Sequence, residues 1–283
     1  MRTFTHRSSL TARPPPVAMA LDAAVMIIMS PMENDAQAST FAPAAARGPL
    51  KFIWGAVATL LSVVYTAILA PAAALCAICG RPAPVTRIGR LWGWLIIKTC
   101  GIRVEIEGLE NLAGLRNYIL VCNHQSFFDI FAVAAYMPGS IRFIAKKELL
   151  KIPIFGYAMN NSCHIVIDRQ AGGKQIRRAV EVTRMGYSIC VFAEGHRFND
   201  NRVHEFEDGA AWLAILTKLP AAPMAISGSG LFFPRRAKIV VPGGTMRMRI
   251  GKPIATAGMR SADRVELTRK FEESVKAMFT EEV

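Results

Sequence analysis

The alternation of apolar and polar positions divides this chain near residue 100. From Phe52 to Gly80 no residue is charged, a run longer than the roughly 20 residues a helix needs to cross a bilayer. Pro71 interrupts the run, so a helix there is expected to kink or stop. A second, amphipathic stretch follows at Leu91-Trp92-Gly93-Trp94-Leu95-Ile96-Ile97, with two tryptophans suited to a membrane interface. Arg47 and Lys51 precede the uncharged run, and Arg81, Arg87 and Arg90 follow it. Basic residues on both flanks disfavour sending one flank across the membrane. The pattern therefore favours a helical hairpin that dips into the cytoplasmic leaflet. A single span is the second reading and a buried core helix the third.

Beyond residue 100 the period changes. Ile102–Glu107 alternates like a strand, and Asn117–Cys122, Ile141–Ala145, His164–Ile167, Ser188–Phe192 and Ala222–Ile226 are short apolar runs. Helical patterns occupy Ser126–Met137, Gly173–Met185, Glu207–Leu219 and Ser261–Phe279. Lys238–Val241 and Thr245–Ile250 suggest a hairpin around Gly243-Gly244. Strands separated by helices predict an α/β fold, a mostly parallel central sheet with helices on both faces, preceded by the membrane-associated hairpin. Three segments result: a disordered or leader segment at 1–47, the anchoring hairpin at 48–100 and the α/β domain at 101–283. The leader holds Arg13-Pro14-Pro15-Pro16 and lacks acids until Asp22, as a targeting segment would. The preferred reading is a misassigned leader, with initiation at a later methionine such as Met26, Met29 or Met32.

Charge narrows the partners. The chain has 283 residues and a formal net charge of +13, with a pI near 9.8 and a mean hydropathy of +0.28. A basic chain suits nucleic acid, an anionic membrane surface or acidic substrates. Nucleic acid is disfavoured, because no zinc-finger spacing, ribonucleoprotein motif or helix-turn-helix signal is present. The six cysteines lie in apolar contexts and are expected to be reduced thiols. Cys76-x-x-Cys79 lacks the second pair that a zinc site needs.

The most chemically suggestive segment is Asn123-His124-Gln125-Ser126-Phe127-Phe128-Asp129, at a strand-to-helix junction. A histidine there projects from the end of a sheet, where ligands collect in open α/β folds. Asp129, in the first helical turn, is placed to fold back on one ring nitrogen. The other nitrogen is then free to take a proton from a substrate hydroxyl. The same residues also read as a capping box, with Ser126 as N-cap and Asp129 at the third helical position. Phe192-Ala193-Glu194-Gly195-His196-Arg197 follows another buried strand. It brings an acid, a flexible glycine and a planar cation suited to phosphate to the same rim, or else a local Glu194–Arg197 ion pair closing a turn. Lys146, Lys147 and Arg169 end two further strands, one lysine being ordinary solvated surface. Cations at three strand ends near one histidine suggest an anionic substrate.

Taken together, residues 90–255 resemble the lysophospholipid and glycerophosphate acyltransferase family, above all the bacterial 1-acylglycerol-3-phosphate acyltransferases. Four blocks carry the resemblance in the family's order: Asn123-His124-x-Ser126-x-x-Asp129, Phe155-Gly156 through Ile167-Asp168-Arg169, Glu194-Gly195-His196-Arg197, and the strand around Pro223. The third block departs from the family's usual Phe-Pro-Glu-Gly-Thr-Arg-Ser. Ala193 stands for the proline, His196 for the threonine and Phe198 for the serine. Those changes bear on which acceptor enters the site.

The resemblance implies transfer of a fatty acyl group from an acyl carrier protein or coenzyme A thioester to the hydroxyl of 1-acylglycerol-3-phosphate, giving phosphatidate. It implies His124 as general base, oriented by Asp129. Lys146, Lys147, Arg169, Glu194, Gly195 and Arg197 are implied to bind substrate, with Asn123, Ser126 and Pro223 in support. No metal and no cofactor beyond the thioester cosubstrate is implied. The expected location is the cytoplasmic face of a bacterial inner membrane. The alternatives are an acyltransferase for another lysolipid, such as a lyso-ornithine lipid, and an ester hydrolase. A hydrolase calls for a Gly-x-Ser-x-Gly elbow, to which Ser227-Gly228-Ser229-Gly230 is the nearest string.

Overall fold

A computed structural model describes residues 48–146, 165–167, 174–198, 200–234 and 237–281. Its centre is a seven-stranded sheet: β1 (Ile102–Glu107), β2 (Ile119–Cys122), β3 (Ile141–Lys146), β4 (Ile165–Ile167), β5 (Ser188–Phe192), β6 (Ala221–Ser227) and β7 (Gly244–Ile250), in the order β1-β7-β6-β2-β5-β3-β4. Pairing is parallel except between β6 and β7. The central strands are buried throughout, as the unbroken apolar runs of β2 and β5 require of a sheet covered on both faces.

Among the described residues six α-helices supply the cover: α1 (Pro49–Ile78), α2 (Pro82–Thr99), α3 (Phe127–Tyr136), α4 (Lys174–Arg184), α5 (Gly209–Thr217) and α6 (Arg264–Met278). One face packs Ile96 and Ile97 of α2 with Phe128, Phe131 and Val133 of α3. The other packs Val182 of α4, Leu213 of α5 and Phe271 of α6. Chain leaving β2 thus turns to one face and chain leaving β5 to the other. Neighbouring parallel strands that diverge in this way open a crevice at their carboxyl ends. His124 and Glu194 follow those two ends.

The hairpin is α1 and α2. At 1.5 Å per residue the 30 residues of α1 extend about 45 Å, and it is the one described helix long and apolar enough to cross a membrane. Leu50, Phe52, Ile53, Leu60, Ile68 and Leu75 are all exposed, a surface that fits membrane association. The inward row is small or hydroxylated. Gly55, Ala58, Ser62 and Thr66 are buried, and a methyl on Gly55 would collide with the Val240 carbonyl. Polar side chains join the two helices: Trp54 Nε1 donates to the Thr99 carbonyl at 2.9 Å, and Trp92 Nε1 donates to Thr66 Oγ1 at 2.9 Å.

One expectation is narrowed and one needs correction. Of the two outcomes expected at Pro71, a kink or a stop, the stop does not occur: helix α1 runs through it to Ile78. Proline removes one N–H and crowds the carbonyl four residues back, a local cost that a long helix can carry. The hairpin around Gly243-Gly244 does not form among the described residues, because Lys238–Val241 is no strand. Val240 N donates instead to Thr59 Oγ1 of α1 at 2.9 Å, and Val241 N to the Phe232 carbonyl at 2.8 Å. Helix α1 has captured the segment, and β7 pairs with β1 and β6.

Candidate active site

The site grows from the carboxyl end of β2. Asn123 is fully buried there. Its amide nitrogen donates to the Ile226 carbonyl at 2.9 Å, and its oxygen accepts from Ile226 N at 2.8 Å. This reciprocal pair fixes the end of β2 to that of β6, and the next residue, His124, leaves the sheet from a rigid base. Ser126 then caps α3, accepting from Phe128 N at 3.4 Å.

Asp129 meets both expectations at once. Its Oδ2 accepts from Gln125 N and Ser126 N, each at 2.8 Å, completing the capping box, and lies 2.8 Å from His124 Nδ1. The carboxylate is wholly buried, and the imidazole is 12% exposed. Two backbone donors hold the oxygen that faces the ring, so the carboxylate orients the histidine at no cost to the cap. Phe192, at the end of β5, stacks beneath the imidazole at 3.9 Å between centroids and 14° between planes. The ring is thus fixed by an edge contact and a face contact.

Glu194 lies deeper than a rim contact would. It is 3% exposed, and its two oxygens accept from the backbone: Oε2 from His124 N and Oε1 from His204 N, each at 3.2 Å. Burial pushes its carboxyl up to about 8, against the lowering effect of the two amides, with Asp129 and Asp200 adding repulsion. Gly195 adopts φ +69°, open to glycine, and the Glu207 carboxylate occupies the place a Cβ would need.

Arg197 does not pair with Glu194. Among the described residues it makes no ion pair and no hydrogen bond, and its guanidinium lies over the Phe127 ring, 3.5 Å from the centroid. Burial lowers its pKa to about 10, a loss that nearby Asp129 partly offsets, so it stays charged at neutral pH. Phe198 N returns to the His124 carbonyl at 3.1 Å, closing the two loops against each other. A second histidine–aspartate pair, His204 Nε2 to Asp200 Oδ2 at 2.7 Å, stands beside them, with Phe198 stacked on His204.

The structure thus brings together Asn123, His124, Ser126, Asp129, Glu194, Gly195 and Arg197. Pro223 is elsewhere, buried in mid-strand opposite Val121, one residue before pairing with β7 begins. Strands β3 and β4 end at the same edge of the sheet, but Lys147, Arg169 and the side chain of Lys146 lie outside the described residues. Ser229 sits in a short 3₁₀ turn, fully buried, with no partner for its hydroxyl among the described residues. That is not the exposed strand-to-helix elbow of a hydrolase nucleophile.

The general Acyltransferase family model matches residues 103–227, which include every described element of this site. The 1-acyl-sn-glycerol-3-phosphate acyltransferase alpha of Ovis aries is 30% identical over 223 residues, covering 77% of this chain and 77% of that protein. The chain belongs to the 1-acyl-sn-glycerol-3-phosphate acyltransferase family. Another relative, the chloroplastic enzyme BAT2 of Brassica napus, is 32% identical over 171 residues, or 59% of this chain. The chain spans about half the length of that chloroplastic relative, 49% of it. The crystal structure of the 1-acyl-sn-glycerophosphate acyltransferase PlsC from Thermotoga maritima superposes with a TM-score of 0.69 at 26% identity, covering 81% of this chain and 96% of that one.

Within this family member, sequence reasoning missed Phe127, Phe192 and the buried role of Glu194. Phe192 had a signal, since it ends an apolar strand two residues before the glutamate. Phe127 had none, because an aromatic beside an N-cap looks like core.

Proposed function

We propose that this chain moves a fatty acyl group from an acyl carrier protein or coenzyme A thioester to the free hydroxyl of 1-acylglycerol-3-phosphate. The observation that carries the reading is the 2.8 Å contact of His124 Nδ1 with an Asp129 oxygen already held by two backbone amides. With the Nδ1 proton facing Asp129, Nε2 is the base. It takes the acceptor's hydroxyl proton as that oxygen attacks the thioester carbonyl carbon. The carbon–sulfur bond then breaks, and the proton passes to the departing thiolate. No covalent enzyme intermediate, metal or cofactor enters the scheme. Glu194 holds the His124 backbone in place, and Arg197, with Arg169 and one of Lys146 and Lys147, receives the phosphate.

The surroundings support a lipid acceptor. A small cleft lined by Thr59, Ser62, Ile96, Phe127, Phe131 and Val240 lies beside the site. The hairpin anchors the protein at the cytoplasmic face of a bacterial inner membrane, and the net charge of +13 favours anionic lipid and an acidic carrier protein. Labelled acyl thioester incubated with lysophosphatidate and a panel of other lysolipids, including lyso-ornithine lipid, tests the assignment by mass spectrometry of the products. Labelled phosphatidate is expected. Preferential acylation of another lysolipid would move the acceptor assignment, and release of free fatty acid alone would point to a hydrolase. High salt without detergent is expected to leave the full-length protein on membranes, because apolar burial is not screened. Clean release by salt would show that charge alone binds it.

A further inference from the structure

Phe127 belongs to two places at once. Its ring supports the Arg197 guanidinium, 3.5 Å from centroid to central carbon, and it also lines the small cleft between α1, α2 and α3. Its backbone position is set by Ser126, the cap of α3, so the turn that aims Asp129 at His124 also sets Phe127 under Arg197.

The chemistry of that contact is selective. Arg197 is largely desolvated, and Asp129 acts on it only through space, since no carboxylate among the described residues forms an ion pair with its donors. The face of an aromatic ring compensates the charge in part, through its quadrupole. A carboxylate partner would occupy the in-plane N–H donors and cancel the charge. A ring takes up only the flat face. The donors, which lie in the guanidinium plane, stay open to a two-pronged oxyanion.

We infer that Phe127 is a positioning residue for acceptor recognition, holding the Arg197 guanidinium by its face so that its donor edge stays open to the phosphate of the lysolipid. The inference rests on the reading of Arg197 as a phosphate contact given above.

The test is steady-state kinetics on the full-length protein with lysophosphatidate and an acyl thioester. Phe127→Leu keeps apolar bulk and removes the π face. It should raise the acceptor KM by roughly three- to thirtyfold, with much smaller changes in kcat and in the thioester KM. Phe127→Trp should bring the acceptor KM back to within about twofold of the wild type, since indole is the stronger cation partner. In an Arg197→Ala background, Phe127→Leu should add nothing to the acceptor KM, because the group it positions is gone. If Phe127→Leu does not fold, Phe127→Met carries the same expectation. An acceptor KM unmoved by loss of the ring, while Arg197→Ala raises it, overturns the role of Phe127 alone. Independent, multiplying effects of the two substitutions overturn it too, leaving Phe127 as simple packing. An acceptor KM unmoved by Arg197→Ala overturns the phosphate reading itself, and the inference with it.

Discussion

Two histidine–aspartate pairs stand side by side in this protein and differ in nearly everything but distance. His124 meets Asp129 through Nδ1 at 2.8 Å, and His204 meets Asp200 through Nε2 at 2.7 Å. The first carboxylate is completely buried, and its contacting oxygen is held by two further amides. The second pair is about one-third exposed on both sides, and each member lies in an irregular loop. Both histidine backbones hang from one carboxylate, Glu194. The pair alone does not distinguish a base from a surface contact. What distinguishes them is whether the aspartate is independently fixed, because only then is the ring's orientation set before substrate arrives.

The largest expected effect follows directly. His124→Ala should lower kcat by roughly 10²- to 10⁴-fold without loss of fold, as measured by single-turnover transfer and thermal melting. His204→Ala should cost less than about threefold. Equal losses at both positions would break the distinction. Asp129→Asn is expected next in size. One oxygen serves both cap and ring, so the amide either keeps its oxygen there and loses the charge that steadies the imidazolium, or turns its NH2 there, which breaks the cap and moves the ring proton to Nε2. Full activity in Asp129→Asn would reduce Asp129 to a helix cap, whereas the matching Asp200→Asn should be nearly silent.

Glu194→Gln sharpens the comparison from below. Its amide can accept from one backbone N–H but faces the other with a donor, so the His124 or His204 loop must shift. A drop in kcat of roughly tenfold is expected, with the thioester KM little changed. The same variant reports on pH. Burial pushes the Glu194 carboxyl up to about 8 in the folded protein, against an ordinary 4.5. Below 4.5 folded and unfolded chains are alike protonated. Between the two values only the unfolded chain ionises, so rising pH draws stability away from the fold across that window. Melting temperatures of wild type and Glu194→Gln from pH 5 to 9 should therefore show the wild type losing ground as pH rises. A parallel pair of curves would mean that Glu194 is ionised throughout.

Much of this was legible in the chain. The strand ends that build the site came from short, β-prone apolar runs, and β1 and β5 lie at the bounds their patterns predict. The capping-box spacing placed Asp129, although it could not say that one oxygen serves both helix and histidine. Depth was harder to read. Glu194 looks like a rim acid because its neighbours in sequence are a glycine and an arginine. Its actual partners are backbone amides ten and seventy residues away, and amides carry no sequence signal. The extended run at 238–241 looked like a strand because its alternation suits any half-buried segment, and only the tertiary contact with Thr59 decides against pairing.

The close approach of α1 to the rest of the molecule has an evolutionary consequence. Gly55 abuts the Val240 backbone, and Thr59 accepts the Val240 amide. At Gly55 the helix meets backbone directly, while Trp54 and Thr59 tie it to neighbouring segments through their side chains. Gly55 is therefore closed to drift, since an added carbon there would push α1 and the Val240 segment apart. The outward row touches nothing in the protein's core and can follow the thickness and composition of whatever lipid it meets. Two faces of one helix are thus expected to change at different rates across relatives, the inner tracking the enzyme and the outer tracking the membrane.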